Sequence, residues 1–167
     1  PKLESFLIDA HIAAPGGKVA VHCWRGGMRS REFARHLSGN GFSEVFVMTG
    51  GYKAFRQYQH TFFDTPFNLR IIGGFTGSGK TEILHFLQET GHQVVDLEEL
   101  ACHKGSSFGD IGMSEQPTTE QFENNLFHAF RKLDINKPVW LEDESHNIGG
   151  VNIPLNLFSQ MQNSPVF

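Results

Sequence analysis

Cysteine is nearly absent from this 167-residue chain: Cys23 and Cys102 are the only two. Two thiols are too few for a disulfide framework and lack the spacing of a zinc site, so a reducing compartment is expected. Long apolar runs are missing as well. No stretch approaches the roughly 20 residues needed to span a bilayer. The opening PKLESFLIDAHIAAPGGK has no basic start followed by an extended apolar segment. Together these absences predict a cytoplasmic protein with no membrane partner. Internal repeats and low-complexity tracts are also lacking. So is an initiator methionine, and the terminal NSPVF reads as the start of another strand, so the chain is expected to be a fragment of a longer protein.

What is present is an ordinary globular composition, 39% hydrophobic, enough for one large domain or two small ones. The formal charge of −4 hides an asymmetry, because residues 1–60 carry +4 and residues 61–167 carry −8. A polyanion is therefore expected to meet the first part, unless the split is only a distribution of solvated surface charge.

KVAVHC reads as a β-rich run with Cys23 at its carboxyl end. Phe33, Ala34 and Leu37 then give one helical face that SGNG terminates, SEVFVMTGG reads as strand and turn, and YKAFRQY as a short helix. QHTFFDTPFN is irregular, which places a linker at 61–68 between a domain at 1–60 and a second at 69–167. The second begins as strand, glycine loop and helix, the helix carrying Ile83, Leu84 and Leu87 on one side, and HQVVDLEEL supplies another strand. CHKGSSFGDIGMSEQP is a long glycine- and serine-rich loop, either functional or a mobile connector. Thr118 to Leu133 is the clearest helix, with Thr118 and Gln121 spaced as a capping box and Phe122, Leu126, Ala129, Phe130 and Leu133 as its apolar stripe. KPVWLEDES is a buried strand running into three acids. Alternating strands and helices predict an α/β fold with a parallel sheet and a ligand site at the strand ends.

GFTGSGKT, Gly74 to Thr81, satisfies G-x-x-x-x-G-K-[ST] between a predicted strand and a predicted helix, the context such a phosphate loop requires. Gly74, Gly77 and Gly79 let the backbone turn its N–H groups inward, together with that of Ser78, and the helix adds its positive end. Lys80 supplies charge for the terminal phosphates, and the Thr81 hydroxyl can ligate magnesium. The partner acid is expected among Glu142, Asp143 and Glu144. Asp143 is the choice for magnesium, although strand alternation leaves open which of the three faces the site.

HCWRGGMRS satisfies two signatures at once. It fits H-C-x-x-G-x-x-R-[ST] of cysteine-dependent phosphatases, and it fits the sulfur-carrying loop of a rhodanese. Both need a cup of N–H groups, built here by Gly26, Gly27 and Ser30. With Arg29 and Arg25 this cup would lower the Cys23 pKa and favour the nucleophilic thiolate. A phosphatase also needs a positioned aspartic acid to protonate the leaving group. Asp9 is the one upstream candidate, and its LIDA surroundings offer no support for that role. EVFVMTGGYKAFR after the loop resembles the strand, glycine pair and short helix that close a rhodanese domain, including an aromatic residue near Phe55.

CWRGGMRS, GGYKAFR, GFTGSGKT, DLEELACHKGSSFG and WLEDESHNIG, in this order, resemble the tRNA 2-selenouridine synthase family from about Val19 to Ile153. The resemblance implies the C-terminal part of a rhodanese-like domain followed by a P-loop NTPase-like parallel-sheet domain. It further implies replacement of sulfur by selenium in the wobble 2-thiouridine of tRNA, through a geranylated intermediate. Selenophosphate and geranyl diphosphate would be co-substrates, with no tightly bound cofactor, and an enzyme supplying selenophosphate would be a partner alongside tRNA. Cys23 falls on the family's catalytic cysteine, which would carry selenium as a perselenide, and Gly74 to Thr81 fall on its P-loop, read as the holder of the diphosphate. Lys53, after GGY, would face tRNA. His146 stands where arginine is more usual, which makes a positive contact there depend on pH, and Cys102 reads as incidental. Two competing readings are a P-loop phosphotransferase or NTPase with a rhodanese-like binding module, and a cysteine phosphatase.

Overall fold

The computed structural model describes residues 2–75, 77–105, 109 and 112–167, with the side chain of Lys2 excepted. The chain divides into two compact units, Pro1–Tyr58 and Gln59–Phe167.

The first unit opens with α1 (Lys2–Ala13), followed by β1 (Lys18–Val21), α2 (Met28–Ser38), β2 (Glu44–Val47) and the start of α3 (Gly51–Phe62). β1 and β2 pair in parallel, Lys18 opposite Glu44 and Val21 opposite Val47, and α2 makes the crossover that parallel pairing demands. Lys18 and Glu44 form an ion pair. Val21, Ala34, Leu37 and Phe42 form the small core, with Leu7 and Ala10 of α1 packed against it. β1 stops at Val21, two residues short of Cys23, so the cysteine lies in the loop just past the strand rather than at its end as KVAVHC predicts. α1 was not anticipated, because its apolar residues are not confined to one face: Leu3, Phe6, Ile8 and Ile12 are all exposed.

In the second unit β3 (Leu69–Ile72), β5 (Val139–Glu142) and β4 (Gln93–Val94) form a parallel sheet in the order β3-β5-β4. β3 and β5 are largely buried, hence the apolar residues of LRII, broken only by the half-buried Arg70, and of VWL. Residues 165–167 run parallel beside β3, with the Ile71 N–H donating to Pro165 O and the Phe167 N–H to Ile71 O. α4 (Lys80–Glu89), α5 (Leu97–Ala101), α6 (Thr119–Phe130) and α7 (Leu155–Gln162) surround the sheet. Phe63, Phe122, Leu126, Phe130, Leu141 and Leu157 are buried in the core. No helix among the described residues is long and apolar enough to cross a membrane.

Several sequence expectations change. The segment 61–68 is no free linker: α3 continues to Phe62, Phe63 is 1% exposed, and Phe62 and Phe67 pack edge-on against Phe127 and Phe130. Aromatic burial overrides the irregular look of QHTFFDTPFN. α6 ends at Phe130, with Phe127 rather than Ala129 and Leu133 completing its buried stripe. Half of its capping box forms: Thr118 Oγ1 accepts the Gln121 N–H, while the Gln121 amide reaches forward to Asn125. On α4, Leu84 is buried but Ile83 is exposed. HQVVDLEEL is a two-residue strand and then α5, because Asp96 caps a helix by accepting the Glu99 N–H at 2.7 Å. β6 (Asn147–Ile148) and β7 (Val151–Asn152) form a hairpin over Gly149 and Gly150. Much of the CHKGSSFGDIGM loop, and Thr76 of the phosphate loop, lie outside the described residues.

Candidate active site

The cysteine loop is held from behind by the turn that follows β2. Tyr52 and Lys53, at the start of α3, donate their N–H groups to the carbonyls of Cys23 and Trp24 at 3.0 and 2.9 Å. With its carbonyls occupied on that side, the loop turns N–H groups toward the thiol. The approach is too close for side chains: a Cβ on Gly51 would lie 2.2 Å from Cys23 O, and one on Gly26 would lie 2.6 Å from Gly51 N. Both residues also have positive φ, so glycine is required at each. The pair in MTGGY thus fits the glycine of CWRGG.

Cys23 is half-buried. Its Sγ lies 3.4 Å from Ser30 Oγ and accepts the Gly27 N–H at 3.3 Å. Ser30, only 4% exposed, also donates to Gly27 O at 3.0 Å. The Ser30 hydroxyl, then the Gly27 N–H, lower the thiol from its usual 9.0 to about 6, against an opposing effect of burial. The inward N–H groups expected from the sequence do contribute to this shift, but its largest cause is the Ser30 hydroxyl, and the guanidinium groups of Arg25 and Arg29 are not among its causes. Gly27 caps α2 without a side-chain bond, leaving that helix's positive end beside the sulfur. Arg25 and Arg29 line a cavity of about 530 Å³ with Cys23, Trp24, Gly27 and Met28. Gly26 and Ser30 support this cup from behind, and Lys53 is exposed. Asp9, on α1, is exposed and is not among the lining residues.

The phosphate loop joins β3 to α4. Gly74, Gly77 and Gly79 all have positive φ. Ser78 covers Gly74, on which a Cβ would meet Ser78 Oγ at 2.5 Å. Lys80 Nζ donates to Gly74 O at 2.9 Å, which holds the ammonium over its own loop. Lys80 and Thr81 line a cavity of about 920 Å³ together with Asp143 and Glu144. The three acids after β5 separate. Glu142 is 3% exposed and turns inward, where its Oε1 accepts the Glu98 N–H at 2.7 Å and its Oε2 has no hydrogen-bond partner among the described residues. Burial, then the neighbouring Asp96 carboxylate, raise Glu142 to about 8. Burial and Glu98 raise Glu144 to about 7, with Lys80 opposing.

Sequence reasoning passed over His85, Asp96, Glu98 and Glu99, which also line the larger cavity. The available signal was DLEE following a strand, since acids at strand ends reach the ligand crevice. Gln116 went unnoticed too: its amide ties Ala101 O, Ile148 O and the Gly150 N–H together. His146 packs at a tilt against Phe158, with ring centroids 5.3 Å apart, and bonds the Asn147 side chain. Cys102 caps α5 in a left-handed conformation.

A family model described as the tRNA 2-selenouridine synthase AAA domain matches residues 67–167. The chain belongs to the tRNA 2-selenouridine synthase family. The family's P-loop domain therefore contains the Lys80 cavity. A tRNA 2-selenouridine synthase of Nitrosomonas europaea is 39% identical over 155 residues, covering 89% of this chain and 40% of the relative. One from Hydrogenovibrio crunogenus is 40% identical, covering 84% and 40%. One from Shewanella frigidimarina is 39% identical, covering 99% and 45%. The chain thus spans 40–45% of the length of these curated members of the family. No solved structure matches it.

Proposed function

We propose that the chain is part of a tRNA 2-selenouridine synthase, a transferase that replaces sulfur by selenium in wobble 2-thiouridine. Similarity running through both loops carries this reading, since the Shewanella frigidimarina relative aligns with 99% of the chain, cysteine loop included. In this reading the first unit is the C-terminal part of a rhodanese-like domain, acting in the cytoplasm. Cys23, poised as a thiolate by Ser30 and Gly27, is the selenium carrier. Arg25 and Arg29 hold the anionic selenophosphate, which a partner enzyme supplies. The P-loop grips the diphosphate of geranyl diphosphate for the geranylated intermediate, through Lys80 and the N–H groups of its glycines. Magnesium accompanying a diphosphate would be held by Thr81 and Asp143, hard oxygen donors lining one cavity.

The test is mass spectrometry of tRNA nucleosides from cells lacking the gene, complemented with the full-length protein. Wild type should restore selenouridine and Cys23→Ser should not; restoration by Cys23→Ser would sink the carrier role. A second reading, a P-loop NTPase with a rhodanese-like binding module, draws on the Lys80, Thr81 and Asp143 cavity. NTP turnover without tRNA, lost in Lys80→Ala and unaffected by Cys23→Ser, would favour it.

A further inference from the structure

The Cys23 cavity has a wall that a small inorganic anion would leave unused. Trp24 and Met28 line it, 50% and 81% exposed. Leaving an indole in solvent forfeits hydrophobic free energy, so such exposure beside a nucleophile points to a ligand face. The indole is also held in place. Its ring centroid lies 5.9 Å from that of Tyr52, Tyr52 stacks on His22 at 5.7 Å, and Trp24 O is fixed by the Lys53 N–H. A preordered ring loses little entropy when something stacks on it.

Apart from the Cys23 thiolate, the charge in this cavity is positive. Arg25 and Arg29 are the charged side chains among the lining residues, and residues 1–60 carry a net +4. A planar apolar face, a soft thioether and two guanidinium groups around a sulfur nucleophile match an unstacked nucleobase with its flanking phosphates. A cavity of about 530 Å³ is of the size that holds a ring-sized ligand.

We propose that Trp24 is the platform on which an unpaired nucleobase of RNA stacks against Cys23, while Arg25 and Arg29 engage the adjoining phosphates. This rests on the tRNA-modifying function proposed above and names the side chain that presents the base. Met28, which also lines the cavity, adds an adaptable apolar contact.

The probe is a synthetic RNA hairpin with one 2-thiouridine in its loop, titrated against the full-length protein. Trp24→Ala should weaken binding by roughly 5- to 150-fold, the range for loss of one base–aromatic stack, and Trp24→Phe should retain most of it. The pH midpoint of Cys23 alkylation, set by Ser30 and the Gly27 N–H and not by the indole, should stay near 6 in both variants, which separates loss of the platform from collapse of the loop. If wild type binds the hairpin and Trp24→Ala binds equally well, the platform is wrong while the tRNA function stands. If wild type does not bind it, the tRNA function falls and takes the platform with it. Should Trp24→Ala lose that midpoint, ultraviolet crosslinking of wild type decides: an adduct on the peptide containing Trp24 supports the platform, and adducts confined to other peptides overturn it.

Discussion

Ser30 is the residue through which the cysteine loop controls its nucleophile. Its hydroxyl lies 3.4 Å from Cys23 Sγ and 3.0 Å from Gly27 O, so it can donate to the sulfur when the thiolate forms and return to the carbonyl when it does not. Alkylation of Cys23 by iodoacetamide should therefore show a midpoint near pH 6, set by the lowered thiol. Ser30→Ala should move that midpoint upward and slow alkylation at pH 6 roughly three- to tenfold. An unchanged midpoint would show that the Ser30 hydroxyl does not set it. That the Cys23 thiol sits in an activating loop was legible in CWRGGMRS. Which neighbour activates it was not, because a serine seven positions away reaches the sulfur only after α2 has formed its first turn.

At the scale of elements, backbone contact between a turn and a loop shapes the cysteine cup. Alanine at Gly51 would place its Cβ 2.2 Å from Cys23 O. Gly51→Ala should thus destabilise the fold by about 2–4 kcal/mol, from overpacking and a left-handed backbone together, and should abolish the acidic midpoint of Cys23 alkylation. Gly16, with nothing within 4 Å of an added Cβ, is the control, and denaturant unfolding of both variants in the full-length protein is the measurement. Equal stability of the two would refute the contact. Elements with a regular period, such as α2 and α6, were readable in the sequence. α1 was not, since its apolar residues are spread around the helix, and α5 was hidden because the cap at Asp96 competes with β-propensity in QVVDLEEL. The helical start of 61–68 escaped notice because its aromatic contacts come from α6, some 60 residues later.

For the whole molecule, buried acids make stability depend on pH. Glu142 titrates at about 8 in the native state against 4.5 ordinarily, so between those values the folded chain holds a proton that the unfolded chain releases. Its contribution is fully present below 4.5 and is lost as pH rises toward 8. Glu144 acts in the same direction up to about 7. Glu142→Gln keeps the acceptor for Glu98 and removes the charge, so thermal unfolding should show a flatter profile between pH 5 and 8. At pH 8 the variant should be more stable than wild type by on the order of 1–3 kcal/mol. Parallel profiles for the two proteins would show that Glu142 is not held neutral.

The sequence by itself determined that the chain is α/β, that Cys23 lies just past a strand, and that the spacing of a phosphate loop, Gly74 to Thr81, stands between a strand and a helix. Those features are written in local spacing: glycines where N–H groups must turn inward, a lysine at the start of a helix, a cysteine just beyond a β-rich run. Only the tertiary structure decided which of Glu142, Asp143 and Glu144 faces the cavity, and that MTGGY supports the cysteine loop. It alone also showed that Phe62 and Phe67 pack onto the rings of α6. Each of these depends on which elements become neighbours, and neighbours are chosen by burial summed over the whole chain rather than by any pattern within a segment.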